Sequence, residues 1–502
     1  MSAELLKVRN GRAFARADVP AIPVDEWRRA ILARVAEGDR LVALFGTDGG
    51  EQGVQLWAVL AADRAGVLRL GTTTIGTTEG GGYLSLTPEC PQAHLFEREL
   101  FELWGVRPNG HPWLKPVRFV APRRGEGVAG KVGVMDFYRV EGEEIHEVAV
   151  GPVHAGVIEP GHFRFQCHGE VVFHLEISLG YQHRGVERAI VEDAGKRRIH
   201  YVETLAGDTT IGHASAYCHL VEALSGDRVP PRALVLRAIA LELERLANHT
   251  GDLGALANDV AFLPTASYCG RLRGDFLNLT AAVCGNRFGR GLVRAGGVGF
   301  DVDDALAADM VQRLDAAMSD VESAVRLLWS SASVLARFEN TGRVTTETAA
   351  ALGLVGVAAR ASGLDRDVRL DHPWGFYRLH KIPVSTLPSG DVFARAYVRW
   401  AEIRRSAQFA RELLRSLPRG ASRVAHGPLA KERVCVSLVE GWRGEICHVG
   451  ATDEQGRLAV YKVIDPSFHN WSGLAMALRD QQISDFPLCN KSFDLSYCGF
   501  DL

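Results

Sequence analysis

The stretch that decides the fold is ELERLANHTGDLGALANDVAF, residues 242–262. Its polar side chains recur at intervals of three and four residues, which places them on one face of a helix. They are Glu242, Arg245, His249 and Asp252. If this stripe is buried, its charges must be paired with one another or with neighbouring groups. Two interpretations remain open for it, a structural network and a path for protons.

Helical patterns extend outward from this stretch. The helix that contains it is predicted from Arg232 to about Ala257, and Pro230-Pro231 introduces it, as proline in a first turn does. Asp303-Asp304 and Thr345 are expected to cap later helices. The other clear helical patterns cover 304–337, 345–361 and 389–416. A β-rich stretch up to Phe173 precedes the helices, and short strands such as RVCVSLVE and LAVYKVI follow them.

The first 121 residues have a different pattern. One helix is predicted at 27–37, with strands at 41–46, 54–62 and 67–71. A basic, glycine-rich stretch then has the composition of a linker. We therefore predict an α+β fold with a small N-terminal α/β domain and a large, mainly α-helical domain with β-rich ends. The expected boundaries are 1–121 for the small domain, 122–134 for the linker and 135–502 for the large domain.

Composition narrows the class of protein. A chain of 502 residues is too long for one ordinary core, and a net charge of −3 gives no basic excess for nucleic acid. No apolar run is long enough for a membrane span, and the first residues carry no apolar signal core. The nine cysteines are scattered and none forms C-x-x-C, which excludes a disulfide framework and a zinc ribbon. A cytoplasmic protein is expected.

Two sets of motifs carry a family resemblance. FERELFELWGVRPNGHPWL (96–114) resembles the signature of the complex I peripheral-arm subunit that has a small α/β domain. LGYQHRGVER (179–188), VEGWRGEI (439–446) and DPSFHNWSGL (465–474) resemble the quinone-site subunit of complex I. That subunit is homologous to the large subunit of membrane-bound energy-converting [NiFe] hydrogenases. The resemblance covers most of the chain and implies a fusion of the two subunits, with a hydrogenase-large-subunit-like second domain.

The hydrogenase branch of this family holds nickel and iron with four thiolates, because soft metals prefer sulfur ligands. On the family's register, the four positions here are Ala206, Thr209, Ser496 and Gly499, and Cys498 lies one residue away. Two of these residues have no ligating side chain, and neutral hydroxyls are poor ligands for soft metals. The resemblance therefore implies a member without a metal site, which is not a hydrogenase on its own.

In complex I the same cavity binds a quinone through a tyrosine and a histidine. The tyrosine position corresponds to Gly207, and His154 and His162 are the candidates for the histidine. We expect Asp208 and His213 to be proton-transfer groups in this cavity. Further cavity-lining candidates are Thr209, Ser496 and Cys498. Three possibilities remain open for this cavity. Polar side chains fill the vacated space as a plug, a quinone-like ligand binds there, or neither is the case.

The resemblance also implies partners. Arg184 corresponds to an arginine beside a [4Fe-4S] cluster in an iron–sulfur small subunit, while its alternative role is an ion pair with Glu187 or Glu192. Other expected partners are a ferredoxin-like subunit and antiporter-like membrane subunits. The chain itself is expected to be peripheral, without a transmembrane segment, on the cytoplasmic face. It is expected to hold no cofactor alone, apart from a quinone as candidate ligand, and NADH would enter only through other subunits.

Three functions follow as hypotheses. The first is a subunit of a complex I-like or hydrogenase-related oxidoreductase that couples electron transfer, with a quinone as the candidate acceptor, to ion translocation. The second is a non-catalytic subunit that transmits structural change in such a complex. The third, ranked last, is a hydrogenase with unusual ligands. A cavity large enough for a ring favours the first, and a cavity filled by Tyr497 and its neighbours favours the second.

Overall fold

The computed structural model describes residues 4–502 except 77–80, 125–128, 155, 157, 194 and 196. Within these residues the first and last parts of the chain are rich in strands and the middle is helical, which confirms the α+β fold class. Parts of the predicted linker and of the turn between His154 and His162 lie outside the described residues. Among the described helices, none is long and apolar enough to cross a membrane.

An antiparallel four-stranded sheet, in the order β1-β5-β4-β3, forms the N-terminal part. The central strand β4 is buried along almost its whole length because helices and other chain segments cover the sheet. Trp27 fixes the first helix on the sheet, since its indole N–H donates to the carbonyl of Gly71 at 3.2 Å. The elements are β1 Leu6–Val8, β2 Phe14–Ala15, α1 Val24–Ala36, β3 Arg40–Asp48, β4 Val54–Ala62, β5 Val67–Ile75, β6 Gly82–Leu84, α2 His94–Trp104 and β7 Arg107–Asn109.

The middle of the chain begins with a three-stranded antiparallel sheet and continues as helices. The helix α6 is buried along most of its length between α7 and α13. The elements are β8 Ile145–Val150, β9 His162–His168, β10 Val171–Ser178, α3 Val186–Glu192, α4 Arg198–Val202, α5 Thr210–Ser225, α6 Pro231–Asp259, α7 Leu263–Cys284, β11 Val293–Arg294, β12 Gly297–Val298, α8 Asp304–Ser330, α9 Ala332–Phe338, α10 Thr346–Ala351, α11 Gly356–Ala361, α12 Val368–Asp371 and α13 Val392–Arg415.

The helices predicted near 27–37, 232–257 and 389–416 are found as α1, α6 and α13, and the expected caps are confirmed. Asp303 accepts a hydrogen bond from the backbone N–H of Leu306 at 2.8 Å, and Thr345 caps α10 in the same way. The single helix predicted over 304–337 is wrong, because Ser331 adopts an extended conformation that ends α8. The helix predicted over 345–361 is two helices, since Gly353 lies in the left-handed region at φ 68°.

The C-terminal part builds a second antiparallel sheet in the order β15-β14-β13-β2. Its edge strand β2 comes from the N-terminal part, with Val434 opposite Phe14. Arg40 of β3 also forms buried ion pairs with Asp63 and Glu445. The two ends of the chain are therefore joined by hydrogen bonds and charge, and the boundaries at 121 and 135 stay a prediction. The elements are β13 Arg433–Glu440, β14 Glu445–Thr452, β15 Leu458–Ile464, α14 Pro466–Ala477, α15 Phe486–Phe493 and α16 Tyr497–Asp501.

Candidate functional site

A cavity of about 1040 Å³ lies where four parts of the chain converge. They are the β8–β9 connection, the residues before α5, the turn between β13 and β14, and the last twenty residues with the end of α6. Its volume is that of a site for a drug-sized or cofactor-sized molecule. The charged and polar side chains in its wall include His154, Glu159, Asp208, Asp259, Arg443, Lys491, Asp494 and Tyr497.

One wall of the cavity is an ion pair between Asp208 and Arg443. The guanidinium donates to both carboxylate oxygens, at 2.5 and 2.9 Å, and also to Thr209 Oγ1 at 3.2 Å. Arg443 Nε donates to the backbone carbonyl of Asp494 at 2.5 Å. Burial would lower the pKa of Arg443, but Asp208 outweighs it and the pKa is raised. Arg443 therefore remains charged and ties the segment before α5 to the C-terminal segment.

Tyr497 presents a phenol in the cavity wall. The side chain is 6% exposed, and its hydroxyl has no hydrogen-bond partner among the described residues. Its ring is fixed by an edge-to-face contact with Trp471, with centroids 4.9 Å apart. The hydroxyl oxygen is itself buried, and the Asn490 side chain lies near enough to lower its pKa, so a ligand in the cavity reaches the hydroxyl only if neighbouring side chains move.

The two candidate histidines have different positions. His154 lines the cavity, and its Nε2–H donates to the carbonyl of Gly161 at 3.1 Å. His162 is buried outside the cavity lining, where its Nδ1–H donates to the carbonyl of Gly151 at 3.0 Å and its Nε2 accepts from Arg164. With Nε2 occupied, neutral His154 offers only an acceptor to a ligand, and it donates only when protonated.

The carboxyl groups in the cavity wall differ in their pKa values. Burial would raise the pKa of Asp494, but Lys491 and Arg443 outweigh it and hold that pKa far below its usual value. Burial raises the pKa of Asp259 to about 6, with Lys491 opposing the rise and Asp494 adding to it. The Asp259 side chain is exposed, so solvent screens these interactions.

His213 is not part of the cavity wall. It lies fully buried in a hydrogen-bonded chain with Asp465, His448 and Tyr461. Burial and the nearby His213 lower the pKa of His448, so neutral His448 accepts from the Tyr461 hydroxyl at 2.6 Å and donates to His213 at 3.1 Å. His213 Nε2–H then donates to Asp465 at 3.0 Å. The structure therefore does not bring His213 and Asp208 into one cleft.

Comparisons with known proteins agree with this architecture. The family model described as respiratory-chain NADH dehydrogenase, 30 Kd subunit, matches residues 23–127, and the one described as its 49 Kd subunit matches residues 259–433. The carbon monoxide-induced hydrogenase of Rhodospirillum rubrum is 30% identical over 350 residues, which are 70% of this chain and 97% of that protein. The chain belongs to this family of complex I and hydrogenase subunits.

Two other relatives match large parts of the chain. Formate hydrogenlyase subunit 5 of Escherichia coli (strain K12) is 30% identical over 439 residues, 84% of this chain and 77% of that protein. NADH-quinone oxidoreductase subunit 4 of Thermus thermophilus is 29% identical over 379 residues, 70% of this chain and 92% of that protein. Because the 30 Kd and 49 Kd regions follow one another in a single chain, the predicted fusion of the two subunits is confirmed.

The four positions expected to correspond to the hydrogenase cysteines, Ala206, Thr209, Ser496 and Gly499, are buried. Thr209 Oγ1 donates to Asp208 at 3.2 Å, and Ser496 Oγ accepts from the backbone N–H of Gly499 at 2.9 Å. A Cβ added at Gly499 would lie 2.7 Å from the carboxylate carbon of Asp465. Within the described parts of the chain, no three His, Cys, Asp or Glu side chains are arranged to hold a metal ion.

Cys498 lies just outside the cavity lining. Its Sγ is 3.4 Å from Ser496 Oγ, and its backbone N–H donates to Glu159 at 3.2 Å. Burial raises the pKa of the Cys498 thiol to about 11, so the protonated form prevails at neutral pH. Ser496 and Cys498 therefore form the end of the chain behind the cavity and not a thiolate site.

Arg184 makes no ion pair with any residue that the structure describes. Its guanidinium donates to the carbonyls of Thr204 at 2.7 Å, Leu205 at 3.0 Å and Cys498 at 3.3 Å. Glu187 is bound to Lys462, and Glu192 is bound to Arg188. The alternative role of Arg184 as an ion pair with Glu187 or Glu192 is therefore wrong, and the exposed guanidinium joins two backbone segments, 204–205 and the one at Cys498.

The polar stripe of α6 is buried and internally paired, as expected. Arg245 donates to Glu242 at 3.1 Å, and His249 donates to Glu402 of α13 at 2.9 Å. Asp252 accepts from Arg399 of α13 at 2.7 Å and lies next to Asp494 in the cavity wall. The network thus extends from the cavity into the packing between α6 and α13.

Sequence reasoning missed several groups in the cavity wall. Arg443 lies in the motif VEGWRGEI, but its partner Asp208 is 235 residues away along the chain. Lys491, Asp259 and Glu159 carry no signal in their own spacing, since each becomes part of the wall only through tertiary packing. The one signal that the sequence offered was that Arg443 and Asp208 both lie in family motifs and carry opposite charges.

Proposed function

We propose that this chain is the acceptor-site subunit of a membrane-associated, complex I-like oxidoreductase, and that its cavity binds a quinone or a related acceptor without a [NiFe] centre. The observation that carries the proposal is an open cavity of about 1040 Å³ with Tyr497 and His154 in its wall. Tyr497 borders this space and does not fill it. A sealed cavity is what the non-catalytic alternative requires.

The donors fit a neutral ring with two carbonyl oxygens. Complex I uses a tyrosine and a histidine, and Gly207 here leaves the tyrosine position without a side chain. Tyr497 supplies a phenol from the opposite end of the chain. His154 donates to a ligand only as an imidazolium, because its Nε2–H is already bound to Gly161. Reduction of a quinone to the quinol consumes two electrons and two protons, so a protonated His154 favours the reduced product.

Asp259 and Asp208 have distinct roles in this proposal. We assign Asp259, an exposed carboxyl in the cavity lining, the exchange of protons between solvent and the cavity. Asp208 is a positioning residue, since both of its carboxylate oxygens accept from Arg443. A polar plug would contain the same kind of ion pair. At this one point of the wall, the observation therefore favours the non-catalytic alternative.

A [NiFe] centre does not fit these residues. Ala206 and Gly499 have no ligating atoms, and a longer side chain at Gly499 would collide with Asp465. The hydroxyls of Thr209 and Ser496 are engaged within the protein and are poor ligands for soft metals. The electrons would therefore come from a [4Fe-4S] cluster of an iron–sulfur small subunit, on the side that Arg184 faces.

The same proposal covers how the cavity would act on ion translocation and where the complex would lie. A change of charge in the cavity acts on Asp494, then on Asp252 and Arg399, and so on the packing of α6 against α13. This route would transmit the redox state of the acceptor to antiporter-like membrane subunits and thus to ion translocation. A ferredoxin-like subunit would supply the electrons, and the complex would lie on the cytoplasmic face of the membrane.

The test uses the intact membrane complex that contains this chain. Nickel and iron are quantified, the cluster is reduced, and a short-chain quinone is titrated while cluster reoxidation is followed. We expect no nickel, saturable quinone-dependent reoxidation, and a weaker quinone affinity in Tyr497→Phe. Tyr83→Phe, which changes a buried tyrosine of the N-terminal part, is the matched control. Cluster reoxidation that does not respond to quinone would support the non-catalytic alternative, and stoichiometric nickel would revive the hydrogenase.

A further inference from the structure

A smaller pocket lies at the junction of the N-terminal part and the helical region. Its volume is about 350 Å³, and three chain segments form it: residues 9–12, the turn at Ala65–Gly66 and residues 371–378. None of these residues lines the large cavity. The pocket is therefore a separate feature that the proposed redox function does not use.

Three guanidinium groups converge in this pocket without a carboxylate partner. They belong to Arg9, Arg12 and Arg378, and for none of them does the described part of the chain provide a carboxylate within 4 Å. Arg378 donates only to the carbonyls of Pro373 at 3.2 Å and Asn10 at 3.4 Å. Burial lowers the pKa of Arg378, and the positive charges of Arg12 and Arg9 lower it further. The three side chains are exposed, so solvent and the Asp371 carboxyl in the lining compensate their mutual repulsion only in part.

A buried imidazole adds an unpartnered polar atom to the same pocket. His372 lines it and is 2% exposed, and its Nε2 is paired with Asp63 at 3.0 Å. Its Nδ1 has no hydrogen-bond partner among the described residues. A buried polar atom without a partner is costly unless a ligand or water supplies one. Asp371, the one acidic residue in the lining, accepts from the backbone N–H of Asp367 at 2.9 Å.

The base of the pocket is rigid. The Asn10 side chain donates to the carbonyls of His372 at 2.7 Å and Leu438 at 3.0 Å and accepts from the N–H of Leu438 at 2.8 Å. These bonds fix the N-terminal segment with its arginines against the strand β13. The cations are thus attached to a preformed base, which lowers the cost of organising the site for a ligand.

We propose that this pocket binds a phosphate group. Guanidinium groups match two oxygens of a phosphate at a time, and three of them around one anion remove the repulsion described above. Because His372 Nδ1 is itself buried, a water or a small shift of the ring would link it to the phosphate. The volume leaves room for an ester substituent, so the phosphate is either free or the headgroup of a phospholipid.

The first experiment measures binding of inorganic phosphate to the purified full-length chain by isothermal titration calorimetry at constant ionic strength. The variants are Arg12→Gln, whose side chain makes no hydrogen bond within the described residues, and the pair Arg12→Gln with Arg378→Gln. Arg326→Gln, an exposed arginine of α8, is the matched control for charge. We expect binding at one site, an affinity at least tenfold weaker in Arg12→Gln, and unchanged binding in the control.

The second experiment distinguishes the source of the phosphate. Vesicles of phosphatidic acid in phosphatidylcholine are compared with phosphatidylcholine alone by co-sedimentation. Binding to phosphatidic acid that Arg12→Gln abolishes, without binding of free phosphate, assigns the pocket to a lipid headgroup. Binding of free phosphate alone assigns it to a soluble anion. No binding in either experiment, or binding that survives in the double variant with normal thermal unfolding, overturns the proposal.

Discussion

Arg443 and Asp208 form a two-pronged ion pair in the wall of the large cavity, although they lie 235 residues apart in the chain. The pair joins the segment before α5 to the turn between β13 and β14. Through the Nε–H of Arg443 it also holds the carbonyl of Asp494. The shape of this wall therefore depends on one guanidinium.

Replacement of Arg443 by Gln leaves the carboxylate of Asp208 in the wall without its cation. Because removal of one partner of a buried pair leaves an uncompensated charge, we expect a loss of about 2 kcal/mol or more in stability. The quinone affinity should fall in the same variant, since the wall is no longer fixed. Thermal unfolding and quinone titration of the complex measure the two effects. A variant as stable as the wild type would contradict the importance of the pair.

Replacement of Tyr497 by Phe separates a binding role from a structural one. Among the described residues the hydroxyl makes no hydrogen bond of good geometry, so its removal should change the melting temperature little. If the hydroxyl donates to the acceptor, the KM for the quinone should rise about tenfold, the equivalent of about 1.4 kcal/mol. A fall in stability with unchanged KM would mean that the hydroxyl has an internal partner instead.

The helix α6 and its paired polar stripe could be predicted from the sequence. The three- and four-residue spacing of the polar residues is local, so it can be recognised without knowledge of the tertiary structure. It also predicted the strands β13 and β15 from apolar runs. The strand β14 between them was missed, since it includes Glu445 and His448, which are buried only because Arg40 and the His213 chain pair with them. Burial of a polar side chain depends on its partner, which the local pattern does not contain.

The candidate site was predicted in part for the same reason. Asp208 and His154 do line the cavity, as the motif positions indicate. His213 instead faces Asp465, whose carboxylate occupies the space that a side chain at Gly499 would need. That rearrangement follows from the loss of side chain at Gly499 together with the packing of α14, and no single motif records it.

A pair of glycines tests whether this space is filled. An alanine Cβ at Gly499 would lie 2.7 Å from Asp465 Cγ, whereas a Cβ at Gly207 meets nothing within 4 Å. We expect Gly499→Ala to lower stability by about 1–3 kcal/mol, as overpacking does, and Gly207→Ala to be nearly neutral. Melting temperatures of the two variants give the comparison. Equal stabilities would show that Asp465 moves aside without cost.

Glu244 provides a prediction about pH. Burial raises its pKa to about 8, although it accepts hydrogen bonds from the N–H groups of Ile211 at 2.7 Å and Gly212 at 3.1 Å. In the unfolded chain the same group titrates near 4.5. Between these values the folded state keeps a proton that the unfolded state has lost, so the contribution of Glu244 to stability falls as pH rises toward 8 and changes little above it.

Replacement of Glu244 by Gln removes this titration and keeps an oxygen that can accept from both N–H groups. We therefore expect the variant to gain stability relative to the wild type as pH rises from 5 to 8, with the largest difference at the alkaline end. Melting temperatures across that range measure the gain. Glu454→Gln, at an exposed position, is the control and should follow the wild type. A constant difference between Glu244→Gln and the wild type would mean that Glu244 is ionised throughout, with its charge held by the N-terminus of α5.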